Sequence, residues 1–95
     1  MAYDTTRDRY FAGKSYATSR RAAAVTPSDS VDLAVYAKQL YIGTTGNITV
    51  VPAGDTSASG TGVLFSTVPV GWFPVQVRRV NSTGTTASNI VAVYD

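Results

Sequence analysis

The 95-residue chain contains no cysteine, no histidine and no glutamate. Without cysteine there is no disulfide and no thiolate to serve as nucleophile or metal ligand. Without histidine the usual general base at neutral pH and the commonest metal ligand are missing. Ser-His-Asp and Cys-His relays are therefore excluded. Helices draw heavily on glutamate, so its absence weighs against long helices. No stretch approaches the roughly 18 apolar residues needed to span a bilayer, and no charged start leads into an apolar signal segment. The expectation is a soluble chain that is its own mature product, with no membrane partner.

Valine and threonine are the commonest residues, at thirteen each. β-Branched side chains suit pleated sheets, so the composition points to an all-β domain. A chain of this length supports one thin core. Period-two alternation marks strands at 38–43, 47–51, 63–68, 75–80 and 89–94, and residues 22–26 read as a further short strand. The segment 40–51 is the clearest: Leu40 and Ile42 oppose Tyr41, residues 44–47 supply Thr, Gly and Asn, and Ile48 and Val50 oppose Thr49. That pattern predicts a β-hairpin. Thr26-Pro27-Ser28-Asp29 has the chemistry of a helix start, with Asp29 in a capping role, and predicts one turn of helix or 3₁₀ before an extended stretch. Val68-Pro69-Val70-Gly71 suits a type I turn, with regular pairing resuming at Val75. Residues 52–62 and 81–88 are rich in Gly, Ser and Thr and read as solvated, pliable loops. Five to six strands joined by hairpin-length connections predict a small antiparallel β-sandwich or barrel-like sheet with an open edge.

Charge divides the chain. Residues 1–25 hold Arg7, Arg9, Lys14, Arg20 and Arg21 against Asp4 and Asp8, a net +3, whereas residues 26–95 are net −1. The first twenty residues have no structural period and intersperse Tyr3, Tyr10, Phe11 and Tyr16 among polar residues. Disordered tails are poor in aromatics, so these rings either lie back on the domain or anchor the arm on a partner. The expected division is an N-terminal attachment arm over 1–21 and a β-domain over 22–95.

Little catalytic chemistry remains. Asp29, Asp32 and Asp55 are the carboxylates available to the β-domain apart from terminal Asp95; Asp32 and Asp55 read as solvated loop acids. Asp29-x-x-Asp32 lacks the ligand density of a calcium loop. Gly60-Thr61-Gly62 leads into a strand rather than a helix and makes no phosphate loop. No cofactor is implied. Arg78-Arg79 invites a nucleic-acid reading, but adjacent strand residues face opposite ways, and a sheet of net −1 is a poor track for phosphates. Trp72 and Phe73 fit an apolar wedge at the end of the sandwich or between subunits. A sugar-stacking platform with Tyr41 is the rival use of the tryptophan.

Four blocks in order, Ala24-Val-Thr-Pro-Ser-Asp-Ser-Val-Asp-Leu33, Leu40-Tyr-Ile-Gly-Thr-Thr-Gly-Asn-Ile-Thr-Val50, Val68-Pro-Val-Gly-Trp-Phe-Pro-Val-Gln-Val-Arg-Arg-Val80 and Gly84-Thr-Thr-Ala-Ser-Asn-Ile-Val-Ala92, resemble the head spike base proteins of gene transfer agents and related tailed phages. The likeness spans about residues 22–94. It implies a non-enzymatic virion protein on the outer capsid surface, a homopentamer at a vertex that binds the major capsid protein and anchors a projecting fibre. On that basis Arg7, Arg9, Tyr10, Phe11, Arg20 and Arg21 would contact the capsid. Trp72 and Phe73 would meet a neighbouring subunit, and Gly54, Asp55, Ser57, Gly60, Thr83 and Gly84 would face the fibre. A capsid cement protein at hexamers or three-fold sites, or a free carbohydrate-binding module, are the rival functions.

Overall fold

A computed structural model describes residues 19–58 and 60–94, which form seven strands and no helix. They are β1 (Arg21–Ala24), β2 (Gln39–Thr44), β3 (Gly46–Pro52), β4 (Val63–Val68), β5 (Gly71–Phe73), β6 (Val77–Asn81) and β7 (Ser88–Tyr94). Two antiparallel sheets result, one ordered β1-β7-β2-β5 and the other β4-β3-β6. This is the all-β sandwich that the composition predicts.

Alternation places the core. Leu40 and Ile42 of β2, Ile48 and Val50 of β3, Phe73 of β5, Val77 and Val80 of β6, and Ile90 and Ala92 of β7 are all buried in one cluster. Phe65 of β4 meets Phe73 edge-on at 4.8 Å between ring centres, so the β4 edge of one sheet lies over the β5 edge of the other. Each fully buried aliphatic or aromatic side chain contributes roughly 1.5–3 kcal/mol relative to exposure, which is what holds the two layers together.

Residues 40–51 do not form a hairpin. β2 pairs with β5 and β7, whereas β3 pairs with β4 and β6, so the chain changes sheets at Thr45. A tight hairpin turn needs positive φ at its centre, and none of residues 44–47 has it. Gly43 and Gly46 serve close approach instead. A Cβ on Gly46 would stand 2.5 Å from the Ala87 nitrogen, and one on Gly43 would stand 2.6 Å from the Asn89 Cβ. The 85–87 segment fills the place a hairpin partner would take: Asn47 N–H donates to Thr86 Oγ1 at 2.8 Å, and Thr86 and Ala87 N–H both donate to the Asn47 carbonyl.

Two further expectations are corrected. The strand after the Pro69 turn is Gly71–Phe73, paired to β2 through Leu40↔Phe73 and Ile42↔Gly71, and Val75 and Gln76 lie outside any strand. This accounts for the seventh strand. Residues 26–36 contain no helical turn. Their backbone runs along the outer side of β6, where Ser28 N–H bonds the Val80 carbonyl, Leu33 N–H bonds the Arg78 carbonyl, and Ala37 bridges Val77. Ladder bonds to β6 outcompete helix formation there, and Ser28 Oγ accepts from the N–H groups of Ser30 and Val31 to make a local turn. The β6 edge is thereby covered.

Candidate assembly surfaces

The most polar part of the interior is built on β6. Arg78 and Arg79 side chains are 0% and 2% exposed, and both reach Asp32, at 3.1 Å from Arg78 Nη1 to Oδ2 and 3.5 Å from Arg79 Nη1 to Oδ1. Adjacent strand residues converge because β6 carries a bulge. Val51 pairs with Arg79 while its neighbour Pro52 pairs with Val77, so Arg78 is the extra residue and the alternation slips by one. Val77 and Val80 stay in the core while the two arginines share a side. This overturns the reading that only one of them could join a given surface, and the reading of Asp32 as a solvated acid. Tyr36 Oη–H also donates to Asp32 Oδ2, at 3.4 Å.

The segment between β3 and β4 closes over that cluster. Arg78 Nη2 donates to the Ser57 carbonyl at 2.6 Å, Arg79 Nη2 donates to the Gly60 carbonyl at 2.7 Å, and Arg79 Nε donates to Asn81 Oδ1 at 3.0 Å. Gly60 has φ of +57° and is buried against the Arg79 guanidinium, where a Cβ would collide with Nη2. Gly60 therefore does not face outward with the other loop residues. Gly54 and Ser57 are exposed, and Asp55 is half-buried. Asp55 Oδ1 accepts from the Ser57 hydroxyl at 2.7 Å and its N–H at 3.0 Å. Those bonds, aided by the nearby Arg78 and Arg79 charges, hold the Asp55 carboxyl below its ordinary value. The loop is pinned by its carbonyls rather than left pliable.

The 82–87 connection closes the end where the chain changes sheets. Asp29 accepts from the Thr83 hydroxyl at 2.6 Å and the Thr83 N–H at 2.9 Å, and the hydroxyl bond is the chief cause of its lowered pKa. Asp29 thus tethers a distant loop instead of capping a helix. Thr85 Oγ1 accepts from Thr49 N–H at 3.0 Å. Thr83 and Gly84 are exposed at the tip. Asp29 and Asp32 point to different partners and form no joint cation site, and no cluster of three metal-ligating side chains occurs among the described residues.

Exposed apolar side chains gather on one rim. Tyr41, Val63, Leu64, Val70 and Trp72 lie on or beside the stacked β4 and β5 edges, with Val31 alone elsewhere among the large exposed hydrophobics described. Trp72 is 60% exposed and meets Tyr41 edge-on at 5.2 Å. Phe73 is 6% exposed and belongs to the core, which removes it from any subunit surface. Trp72, Arg20, Ala22, Gln39 and Val93 line a shallow groove of about 430 Å³ on the outer face of the four-stranded sheet. Arg20 and Arg21 are exposed at the start of β1, and strand pairing begins at Arg21, the last residue of the expected arm. Arg7, Arg9, Tyr10 and Phe11 lie outside the described residues.

Sequence inspection missed the Asp32–Arg78–Arg79 cluster. The signals were present: an acid flanked by Val31 and Leu33, and two arginines inside an otherwise apolar strand. Charges at such positions are expected to be paired.

No protein-family model matches the chain, and no curated protein does. A solved structure does: the capsid of a native GTA (gene transfer agent) particle computed with C5 symmetry contains a chain 28% identical to this one. The likeness covers 90% of this chain and 98% of that one, with a TM-score of 0.69. Over nearly its whole length, this sandwich is similar to a component of a gene-transfer-agent capsid.

Proposed function

We propose that this chain is a non-enzymatic structural protein of a virion or virus-like particle, the base of a spike on the outer surface of capsid vertices. The observation that carries the reading is the end-to-end likeness to a capsid chain from a particle treated with five-fold symmetry. The residue chemistry agrees, since neither the Ser-His-Asp and Cys-His relays nor the histidine and thiolate metal ligands can be assembled from this sequence. In this role the chain is a homopentamer. Its N-terminal arm, through Arg7, Arg9, Tyr10, Phe11 and Arg20, grips the major capsid protein, and the exposed loop residues Gly54, Ser57, Thr83 and Gly84, with half-buried Asp55, meet a fibre.

Purified protein mixed with capsids lacking it tests the reading by electron cryomicroscopy. Density at the five-fold vertices and nowhere else is the expected result. Occupancy of hexamer centres or three-fold sites, at hundreds of copies per particle, would instead identify a cement protein. The exposed Trp72–Tyr41 pair favours a third use, stacking on sugar rings. Binding on a glycan array that Trp72→Ala abolishes, with no affinity for capsids, would replace the proposal by that one.

A further inference from the structure

β1 and β5 are the two ends of one four-stranded sheet, and among the described residues no strand pairs with the outer side of either. Strand directions alternate across β1-β7-β2-β5, so β5 runs opposite to β1. If a second copy is laid beside the first with the same orientation, its β1 meets β5 of its neighbour as an antiparallel pair, the same arrangement found within the sheet. Among the described residues, backbone groups are available on both sides. Val25 N–H donates to the Ile90 carbonyl, and antiparallel alternation then turns the N–H and C=O of Ala22 and Ala24 away from β7. The same alternation through β2 turns those of Trp72 outward.

Side chains fit as well. β1 is Arg-Ala-Ala-Ala with every residue exposed, and the alanines leave a flat floor wide enough for an indole. Ala22, Ala24 and Trp72 lie on the same outer face of the sheet, because they share rows with Val91, Val93 and Tyr41. Space is open at β5, where a Cβ on Gly71 would touch nothing. Natural edges are usually blunted by charge, proline or a covering segment. The β6 edge is covered in this way by residues 28–37, yet β4 and β5 carry no charged residue, and Val63 and Leu64 of β4 and Val70 beside β5 are exposed.

We infer that copies of this chain join head to tail, β5 of one against β1 of the next, with Trp72 seated over Ala22 and Ala24 of its neighbour, so that the four-stranded sheet continues around a closed ring. This rests on the ring assembly proposed above and names its contact. A closed ring requires two different patches on each copy, and the two ends of one sheet supply them.

The absence of cysteine makes the test clean. Val70→Cys and Ala24→Cys both alter exposed sites outside the core. With a short bismaleimide, each single variant of the full chain should remain uncrosslinked, a mixture of the two should give dimers, and the double variant should give a ladder ending at the ring. Trp72→Ala should shift the wild-type oligomer to monomer in light scattering while leaving the β-sheet circular dichroism unchanged. Dimers from either single variant would show a two-fold contact and overturn the proposal. An oligomer that yields no ladder, or one that survives Trp72→Ala, would overturn it too, while vertex binding by the same protein would leave the capsid role standing. A wild-type monomer that also ignores capsids would remove both.

Discussion

Asp32→Asn tests the interior electrostatics most directly. Asp32 is the carboxylate found within 4 Å of the buried Arg78 and Arg79 guanidinium groups among the described residues. Asparagine keeps the shape, removes the charge, and turns an NH₂ group toward one of the two cations. Leaving a buried charge uncompensated costs roughly 3–5 kcal/mol. The arginines keep the Ser57 and Gly60 carbonyls and Asn81 Oδ1 as acceptors, which places the loss near the lower limit, about 3 kcal/mol. A chain of 95 residues has a total stability of about 5–14 kcal/mol, so this one atom exchange removes a large share. The melting temperature should fall by about 12–24 °C, at roughly 4–8 °C per kcal/mol for a domain of this size. Urea denaturation followed by circular dichroism measures the free-energy change. Adding Arg79→Met to Asp32→Asn removes the repulsion between the two cations and brings the cluster back to its original net charge, and should return more than about 1 kcal/mol relative to additivity. A loss below about 1 kcal/mol, the range of solvent-exposed pairs, would refute the burial argument. Strict additivity of the two substitutions would refute the coupling.

Phe73→Ala should cost about 3–5 kcal/mol by urea denaturation, since it empties the contact with Phe65 that ties β5 to β4. Trp72→Ala, one residue away on the outer side, should change the stability of the monomer by less than about 1.5 kcal/mol, the worth of its contact with Tyr41. Thr67 sits at φ of 53° beside a bulge in β4, an unfavourable conformation for a β-branched residue, so Thr67→Gly should raise stability by about 1 kcal/mol in the same assay. Asp29 and Asp55 have folded-state pKa values depressed below the ordinary 3.8. Their contribution is therefore complete above 3.8 and fades as pH falls through the lower folded values, and Asp29→Asn should flatten that acid limb of the stability curve, measured by urea midpoints between pH 5 and pH 2.

The faces of the strands were legible in the sequence, and their sheet membership was not. Leu40, Ile42, Ile48 and Val50 alternate as a hairpin would, and they do face one core. Yet alternation on both sides of a Gly-Thr-Thr-Gly run is equally compatible with an arch between two sheets. The deciding contacts come from Thr86 and Ala87, about forty residues away. Arg78 and Arg79 were misjudged for a related reason: a single extra residue in β6 relative to β3 reverses the face of everything beyond it, and no local signal announces a bulge. Trp72 and Phe73 were legible as a pair of large rings near a rim. Which ring points inward depends on the register Tyr41↔Trp72, set by a strand thirty residues earlier. The loops looked pliable because they are rich in Gly, Ser and Thr, and what fixes them is donor groups from elsewhere: guanidinium N–H for 53–62, and backbone N–H of Asn47 and Thr49 for 82–87.

β7 sits between β1 and β2 in the four-stranded layer, so those two strands never touch and each depends on the last strand of the chain. During synthesis β1 must wait, with its mate still unmade, until residue 94 has left the ribosome, whereas β2 already has β5 to pair with. A truncated product lacking β7 keeps the β2–β5 pair but leaves β1, the other end of that layer, with no strand to hold it. The order of strands therefore acts as a completeness check, because a chain cut short before β7 cannot build the four-stranded layer with both its rims.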